Sequence, residues 1–246
     1  MDFNDYTSTY VKEIKRSVPL VGTNHRVFLA EKASQLVRLA SRHFEDGKRL
    51  RVLDVGCGIG LMEHELQGRF EHLIGVDIAD EALELARETL PESEFIHYDG
   101  TVLPFDDEVF DVAFAVCVFH HVPIDQRQQL IDEMARVVSH GGLLVIFEHN
   151  PLNPMTQWIV SRCEIDQDAI LLGRRETCRL LSSAGIDRLM QKQILYFPWR
   201  GPFWTWLESC ISWIPLGAQY YVAGSKHSAG NVLRNPMKGL SSRRAA

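Results

Sequence analysis

Val52-Leu53-Asp54-Val55-Gly56-Cys57-Gly58-Ile59-Gly60 is the stretch that decides the fold of this chain. A short β-branched run over residues 50–55 stops abruptly at glycines, as a buried strand running into a turn does. Three glycines separate it from a helix-like stretch over 60–67. Residues without side chains let the backbone approach a ligand closely, and a helix start offers unpaired N–H groups. The turn therefore suits a nucleotide-like ligand. A dinucleotide fingerprint would need glycine where Leu61 stands, and a phosphate-binding loop would need a Gly-Lys-Ser/Thr ending, which is missing.

The alternation that begins there repeats along the chain. Apolar runs at 72–76, 93–97, 109–116 and 142–148 are separated by helix-like stretches at 60–67, 79–89, 125–138 and 153–163. Strands alternating with helices predict right-handed crossovers and a mainly parallel sheet covered on both faces. Ligands bind such sheets beyond the carboxyl ends of the strands. Upstream, Val27, Phe28, Ala30, Leu36, Val37, Leu39, Ala40 and Phe44 follow a helical period behind Asn24, a candidate cap. Downstream, a helix near 174–184 ended by Gly185 precedes two β-rich segments, 186–197 and 218–224. The aromatic run Pro198 to Trp206 lies between them and leads into an apolar helical stretch reaching Pro215.

Composition bounds the rest. The chain has 246 residues, 46% of them hydrophobic and 24% charged, which is ordinary for one large globular domain. Its formal charge is −6, and Lys226, Arg234, Lys238, Arg243 and Arg244 sit in a final stretch without an acid, so the body is more acidic still. An acidic body repels phosphate backbones, and no basic groove is visible, so a nucleic-acid substrate is not expected. The five cysteines form no C-x-x-C pair, which disfavours a disulfide framework and a zinc site. Met1-Asp2-Phe3-Asn4-Asp5 does not read as a secretory signal, and a cytoplasmic location is expected.

Further acids extend the glycine turn. Asp77, closing Gly75-Val76-Asp77 and 21 residues after Gly56, can accept hydrogen bonds from both ribose hydroxyls, although an acid there can also cap the next helix. Asp99 opens Asp99-Gly100-Thr101, a pair of residues that also suits a simple Asx-turn. Phe110 to Val122 forms another strand and loop, ending in Phe119-His120-His121, and Met134 to Leu144 a helix, turn and strand. With Asp54 two residues before Gly56, the first segment resembles the D-x-G-x-G-x-G motif of class I S-adenosylmethionine-dependent methyltransferases, in the form of a type 11-like domain. The other four pieces resemble the later motifs of that family in order and spacing, over roughly residues 40–150.

That resemblance implies a Rossmann-like methyltransferase fold: an α/β, mainly parallel seven-stranded sheet with helices on both faces and a C-terminal antiparallel hairpin. It implies S-adenosyl-L-methionine as cofactor, held by Asp54, Gly56, Cys57, Gly58 and Gly60, with Asp77 and Ile78 at the ribose, Asp99, Gly100 and Thr101 at the adenine, and Val116 and Cys117 beside the methionine part. The expected organisation is a helical cap over 1–49, a cofactor-binding core over 50–150, the rest of the domain over 151–225, and a basic tail over 226–246. Ser139-His140 replaces the family's usual Lys-Pro in a turn that is not expected to touch the cofactor.

The methyl acceptor is less legible. His120, His121, Glu148 and His149 sit beyond the fourth and fifth strands, and His120 or His121, then His149, are the candidate proton acceptors, against a packing role. No metal is assigned, because adjacent histidines point in different directions unless the loop bends them together. The loop Glu148-His149-Asn150-Pro151-Leu152-Asn153-Pro154 is offered to the acceptor, although Asx-turns and helix capping explain its Asn-Pro pairs equally well. It also resembles a bacterial subgroup associated with saccharide or secondary-metabolite pathways. Residues 197–216 carry Trp199, Phe203, Trp204, Trp206 and Trp213 and read as a lid or acceptor pocket ahead of a membrane-dipping patch or a dimer contact. The expected partner is thus a small-molecule acceptor methylated at an O or N atom, with a saccharide or a lipid-linked intermediate as the candidates. The rival readings are a catalytically silent relative serving as a binding or scaffold module, and a nicotinamide-dependent oxidoreductase.

Overall fold

A computed structural model describes residues 25–44, 49–163, 166, 168–197, 201–211 and 214–227. In chain order the elements are α1 (His25–His43), β1 (Arg51–Val55), α2 (Leu61–Leu66), β2 (His72–Asp77), α3 (Asp80–Thr89), β3 (Glu94–His97), β4 (Phe110–Val116), α4 (Arg127–Val137), β5 (Val138–His149), α5 (Pro154–Val160), α6 (Arg174–Ser183), β6 (Ile186–Ile194), α7 (Pro202–Ile211) and β7 (Gln219–Lys226). Asn24, read as the cap of α1, lies outside the described residues, as do Trp199, Trp213 and residues 228–246 of the basic tail.

The strands form one seven-stranded sheet in the order β3-β2-β1-β4-β5-β7-β6. β1 to β5 are mutually parallel, and β7 runs antiparallel to both of its neighbours. Period-2 alternation divides the sheet's side chains between two cores. Val112, Phe114, Val145 and Phe147 pack with Leu29, Leu36 and Ala40 of α1 on one face. Ala113, Ala115, Leu144 and Ile146 pack with Leu130, Ile131 and Met134 of α4 on the other. Each large side chain so buried contributes about 1.5–3 kcal/mol. These are the two covered faces that the strand–helix alternation predicts.

Two local features depart from the expected boundaries. β5 starts at Val138, four residues before the predicted apolar run, because the Ser139-His140-Gly141-Gly142 turn is absorbed as an irregularity within the strand. Gly141 takes a positive φ there, and Gly142 packs so tightly that an added Cβ would lie 2.7 Å from the Asp111 carbonyl. The Asn-Pro pairs serve structure. Asn153 caps α5 by accepting from the Met155 and Thr156 N–H groups, with Pro154 in the first turn. Asn150 donates to the Pro215 and Gly217 carbonyls, which ties the loop after β5 to the start of β7.

The order reverses at β1: the chain steps outward to β2 and β3, then returns to place β4 on β1's other side. That is the topological switch point, where a crevice opens at the carboxyl ends of β1 and β4. Because β7 is antiparallel, its first residue, Gln219, pairs with His149 at the carboxyl end of β5. The insertion that carries α7 and leads into β7 therefore emerges on the ligand side of the sheet.

Candidate functional site

The glycine turn is built by backbone bonds. The N–H groups of Gly56 and Cys57 both donate to the Val76 carbonyl, at 2.8 and 3.0 Å, which locks the turn against the end of β2. Gly56 has φ +80, and a Cβ on it would come within 2.4 Å of Val118 Cγ2, so this glycine lets the loop after β4 close over the turn. Gly58 also has positive φ, yet nothing lies within 4 Å of where its Cβ would be. Its Cα faces open space. Gly60 caps α2 from the left-handed region. Cys57 contributes backbone, since its side chain is buried with Leu83, Ala86 and Phe95.

Asp77 joins the two halves of the crevice. Its Oδ2 accepts from the Gly58 N–H at 2.7 Å and its Oδ1 from the Ala79 N–H at 2.9 Å. Burial raises its carboxyl, while the bonds from Ala79 and Gly58 work against that rise. Ile78 beside it is exposed, and an added Cβ at Gly100 would touch Ile78 Cγ2 at 3.3 Å, so the ends of β2 and β3 meet there. Asp99 forms the Asx-turn: Oδ1 accepts from the Thr101 N–H and hydroxyl and from the Val102 N–H. Those bonds hold its carboxyl down at about 2. The loop beyond is braced from α4, where Arg136 donates to the carbonyls of Leu103 and Phe105 and Glu133 accepts from the Leu103 N–H.

Beneath the turn lies a feature that the sequence did not announce. Asp54 and Glu63 are both buried side by side, and beyond each other Asp54 Oδ1 and both Glu63 oxygens have no side-chain partner among the described residues. Burial lifts both carboxyls, Asp54 far above its usual range and Glu63 to about 7, with the Asp54–Glu63 proximity adding to the Asp54 shift. Opposite them, Lys32 of α1 is only 5% exposed, and its ammonium reaches Cys117 Sγ at 3.6 Å. Cys117 follows half-buried Val116 at the end of β4 and is held at φ +58, a conformation uncommon outside glycine. Its Sγ also accepts from Gln219 Nε2 at 3.4 Å. Lys32 and Glu63 escaped the sequence reading because each looks like an ordinary solvated helix charge.

The four residues beyond β4 and β5 separate into distinct roles. His120 is buried, with Nδ1 2.7 Å from Glu148 Oε2 and Nε2 3.5 Å from Asp166 Oδ1. Burial opposes its charge, but Glu148 and Asp166 outweigh that and raise the ring to about 10. Its ring is therefore clamped between two carboxylates. His121 Nε2 lies 3.3 Å from the same Asp166 oxygen, and burial pushes this ring below its ordinary value. His149 is pushed down to about 4 by burial and then by the His120 charge, and its Nδ1 lies 3.3 Å from Gln219 Nε2. Asp166, far from these residues in sequence, gave no motif by which it could be found.

Comparison with known proteins bears on this geometry. Residues 53–146 match the family model described as a methyltransferase domain. Over that segment the chain is similar to S-adenosylmethionine-dependent methyltransferases. The matched segment runs from β1 through most of β5 and so contains the turn, Asp77, Asp99 and Cys117. The chain is 36% identical over 101 residues to the demethylmenaquinone methyltransferase of Clavibacter sepedonicus, a match covering 40% of each chain. The chain thus spans about two fifths of that curated relative's length. Among solved structures, a possible histamine N-methyltransferase of Thermotoga maritima superposes with a TM-score of 0.65 at 20% identity, covering 90% of this chain and 97% of that one. Magnesium protoporphyrin IX methyltransferase of Synechocystis, with bound S-adenosylhomocysteine, gives 0.66 at 15% identity, covering 91% and 97%. At such identities these structures establish the shared fold alone.

Proposed function

We propose that the chain transfers the methyl group of S-adenosyl-L-methionine to an oxygen or nitrogen atom of a small-molecule acceptor. One observation carries this reading: at the switch point, open backbone at Gly58 lies beside Asp77, with an unpaired buried acid pair and a buried ammonium nearby. Unpartnered buried polar groups are costly, so their presence in one crevice points to a ligand that satisfies them. A zwitterionic, cationic nucleoside does so. A carboxylate has about four acceptor sites, and Asp77 spends two on backbone, leaving two for ribose hydroxyls. Asp99 Oδ2 would take the adenine amino group, with Ile78 and Gly100 lining the base and Thr101 holding Asp99 in place. Lys32 would meet the carboxylate of the methionine part, and Asp54 its positive charge.

When bound, this cofactor supplies a methyl group already made electrophilic by its sulfonium, so the protein's task is chiefly to align an acceptor. An acceptor hydroxyl or amine must also lose a proton. His149 stands at the carboxyl end of β5 and adjoins Gln219, which also bonds Cys117, and this placement suits it to take that proton. His121 is the second candidate, whereas His120, held between Glu148 and Asp166, is suited to positioning. Exposed Leu152, Met155 and Trp158 follow β5, and Phe203 and Trp206 on α7 are 60% and 62% exposed. An apolar rim on the ligand side favours an acceptor with an apolar body and supports reading 197–216 as a lid or pocket. No helix among the described residues is long and apolar enough to cross a membrane.

Calorimetry with S-adenosylhomocysteine, followed by mass spectrometry of methyl transfer to a panel of amphipathic hydroxyl and amine acceptors, tests the proposal. Saturable binding and a mass gain of one methyl group are expected. The absence of any binding heat from a folded sample, or thermal protection by NAD in its place, overturns the reading.

A further inference from the structure

Three ligating atoms converge in the loop after β4. His120 Nε2 and His121 Nε2 lie 3.5 and 3.3 Å from Asp166 Oδ1, and all three atoms fall within 4.8 Å of one another. Neighbouring histidines ordinarily diverge. Here the His121 N–H donates to the Val118 carbonyl and the Val122 N–H to the Phe119 carbonyl, and this turn brings the two ring centroids to 4.1 Å. Asp166 is held to the same loop, because the Ile170 N–H donates to the His120 carbonyl at 2.9 Å. Arg127 reinforces this by donating to the carbonyls of both Val122 and Ile170.

Support around the cluster has the form that metal-binding histidines require. A ligating imidazole usually gives its other nitrogen to a carboxylate, which sets the tautomer and the ring direction. Glu148 is in that position: Oε2 meets His120 Nδ1 at 2.7 Å, and the carboxylate is fixed by the N–H groups of Phe119 and His149. Ligand atoms about 2.0–2.1 Å from a tetrahedral ion are separated by about 3.4 Å, which the two contacts to Asp166 already match. Two imidazoles and one carboxylate suit zinc or a similar transition ion, while magnesium and calcium favour oxygen ligands.

We propose that His120 Nε2, His121 Nε2 and Asp166 Oδ1 bind one divalent transition-metal ion of the zinc type, with Glu148 orienting the His120 ring. Three protein ligands leave a fourth position open. The side chains of His121 and Asp166 retain 19% and 13% exposure, so this position is reachable from outside. An acceptor oxygen bound there loses its proton more readily, and His149 remains available to receive it. The assignment goes beyond the methyl-transfer reading and does not depend on cofactor binding.

The test uses the full chain after chelator treatment, titrated with Co2+ and followed by visible absorption. One equivalent per chain with the intense bands of a four-coordinate site, displaced by Zn2+, is expected. His121→Ala and Asp166→Asn should each weaken binding more than ~10-fold, and Glu148→Gln by about 10–100-fold. Absence of saturable binding, a six-coordinate spectrum, or unchanged affinity in both ligand variants overturns the assignment. Should the variants fail to fold, the wild-type spectrum and a Zn2+-dependent rise in its melting temperature decide the matter. S-adenosylhomocysteine calorimetry on the same sample separates the two readings: its binding without Co2+ uptake sinks the metal site alone, and Co2+ uptake without its binding sinks the methyltransferase reading alone.

Discussion

Gly56 and Gly58 share the left-handed backbone but differ in what surrounds them, so alanine at each should uncouple stability from binding. An L-residue in that region costs about 1–2 kcal/mol. At Gly56 the new Cβ also meets Val118 Cγ2 at 2.4 Å, and overpacking of this kind adds about 1–3 kcal/mol. Gly56→Ala should therefore cost about 2–5 kcal/mol in urea denaturation, falling to about 1–2 kcal/mol in a Val118→Ala background, where the clash is relieved. Gly58→Ala has no neighbour within 4 Å and should lose only the backbone part. Its methyl would instead intrude where the cofactor is proposed to lie, weakening S-adenosylhomocysteine by about 5- to 150-fold, the equivalent of about 1–3 kcal/mol. Wild-type affinity in a folded Gly58→Ala protein would refute the placement of the cofactor. Equal stability of the two variants would refute the packing argument at Gly56.

Lys32→Met should weaken S-adenosylhomocysteine by about 10- to 150-fold, the worth of a charge-assisted hydrogen bond, while leaving affinity for its decarboxylated analogue unchanged; calorimetry with the pair decides. Asp77→Ala removes the acceptor of the Gly58 and Ala79 N–H groups together with the proposed ribose contact, and should reduce cofactor affinity at least ~10-fold; unchanged affinity would remove Asp77 from the site. Glu63 makes stability fall with pH. Its folded value of about 7 exceeds the unfolded value of about 4.3, so the native state holds the extra proton between the two. The Glu63 contribution to stability is then fully present below about pH 4.3 and is lost as pH rises through about 7, and the raised Asp54 beside it acts in the same direction. Glu63→Gln should flatten that decline in urea melts, and an unaltered pH profile would exclude Glu63 as its source.

The legible parts of this protein are those governed by local periodicity. The strand-to-helix alternation, the position of α1, the glycine turn and the acids ending β2 and β3 all follow from patterns a few residues long. The expected boundaries differ from the observed ones mainly at β5, where a glycine-rich turn continues the strand as an irregularity because Gly142 can pack against Asp111. Asp99 carried two readings, and the Asx-turn among them is present. Whether His120, His121 and His149 act alike could not be judged locally, since adjacent imidazoles of one type acquire opposite shifts only from what surrounds them.

By itself the sequence determined that a mainly parallel sheet would form and marked Gly56–Gly60 as the turn where a nucleotide-like ligand is expected, because hydrophobic period and glycine placement act over short range. Only the tertiary structure decided which charges are buried. Lys32 comes from a helix ahead of β1, Glu63 from the first turn of α2 and Asp166 from a segment before α6, and no spacing rule connects them. Their placement depends on strand order and on how helices cover the sheet; burial then raises the Glu63 carboxyl, while His120 and His121 hold Asp166 down against its own burial.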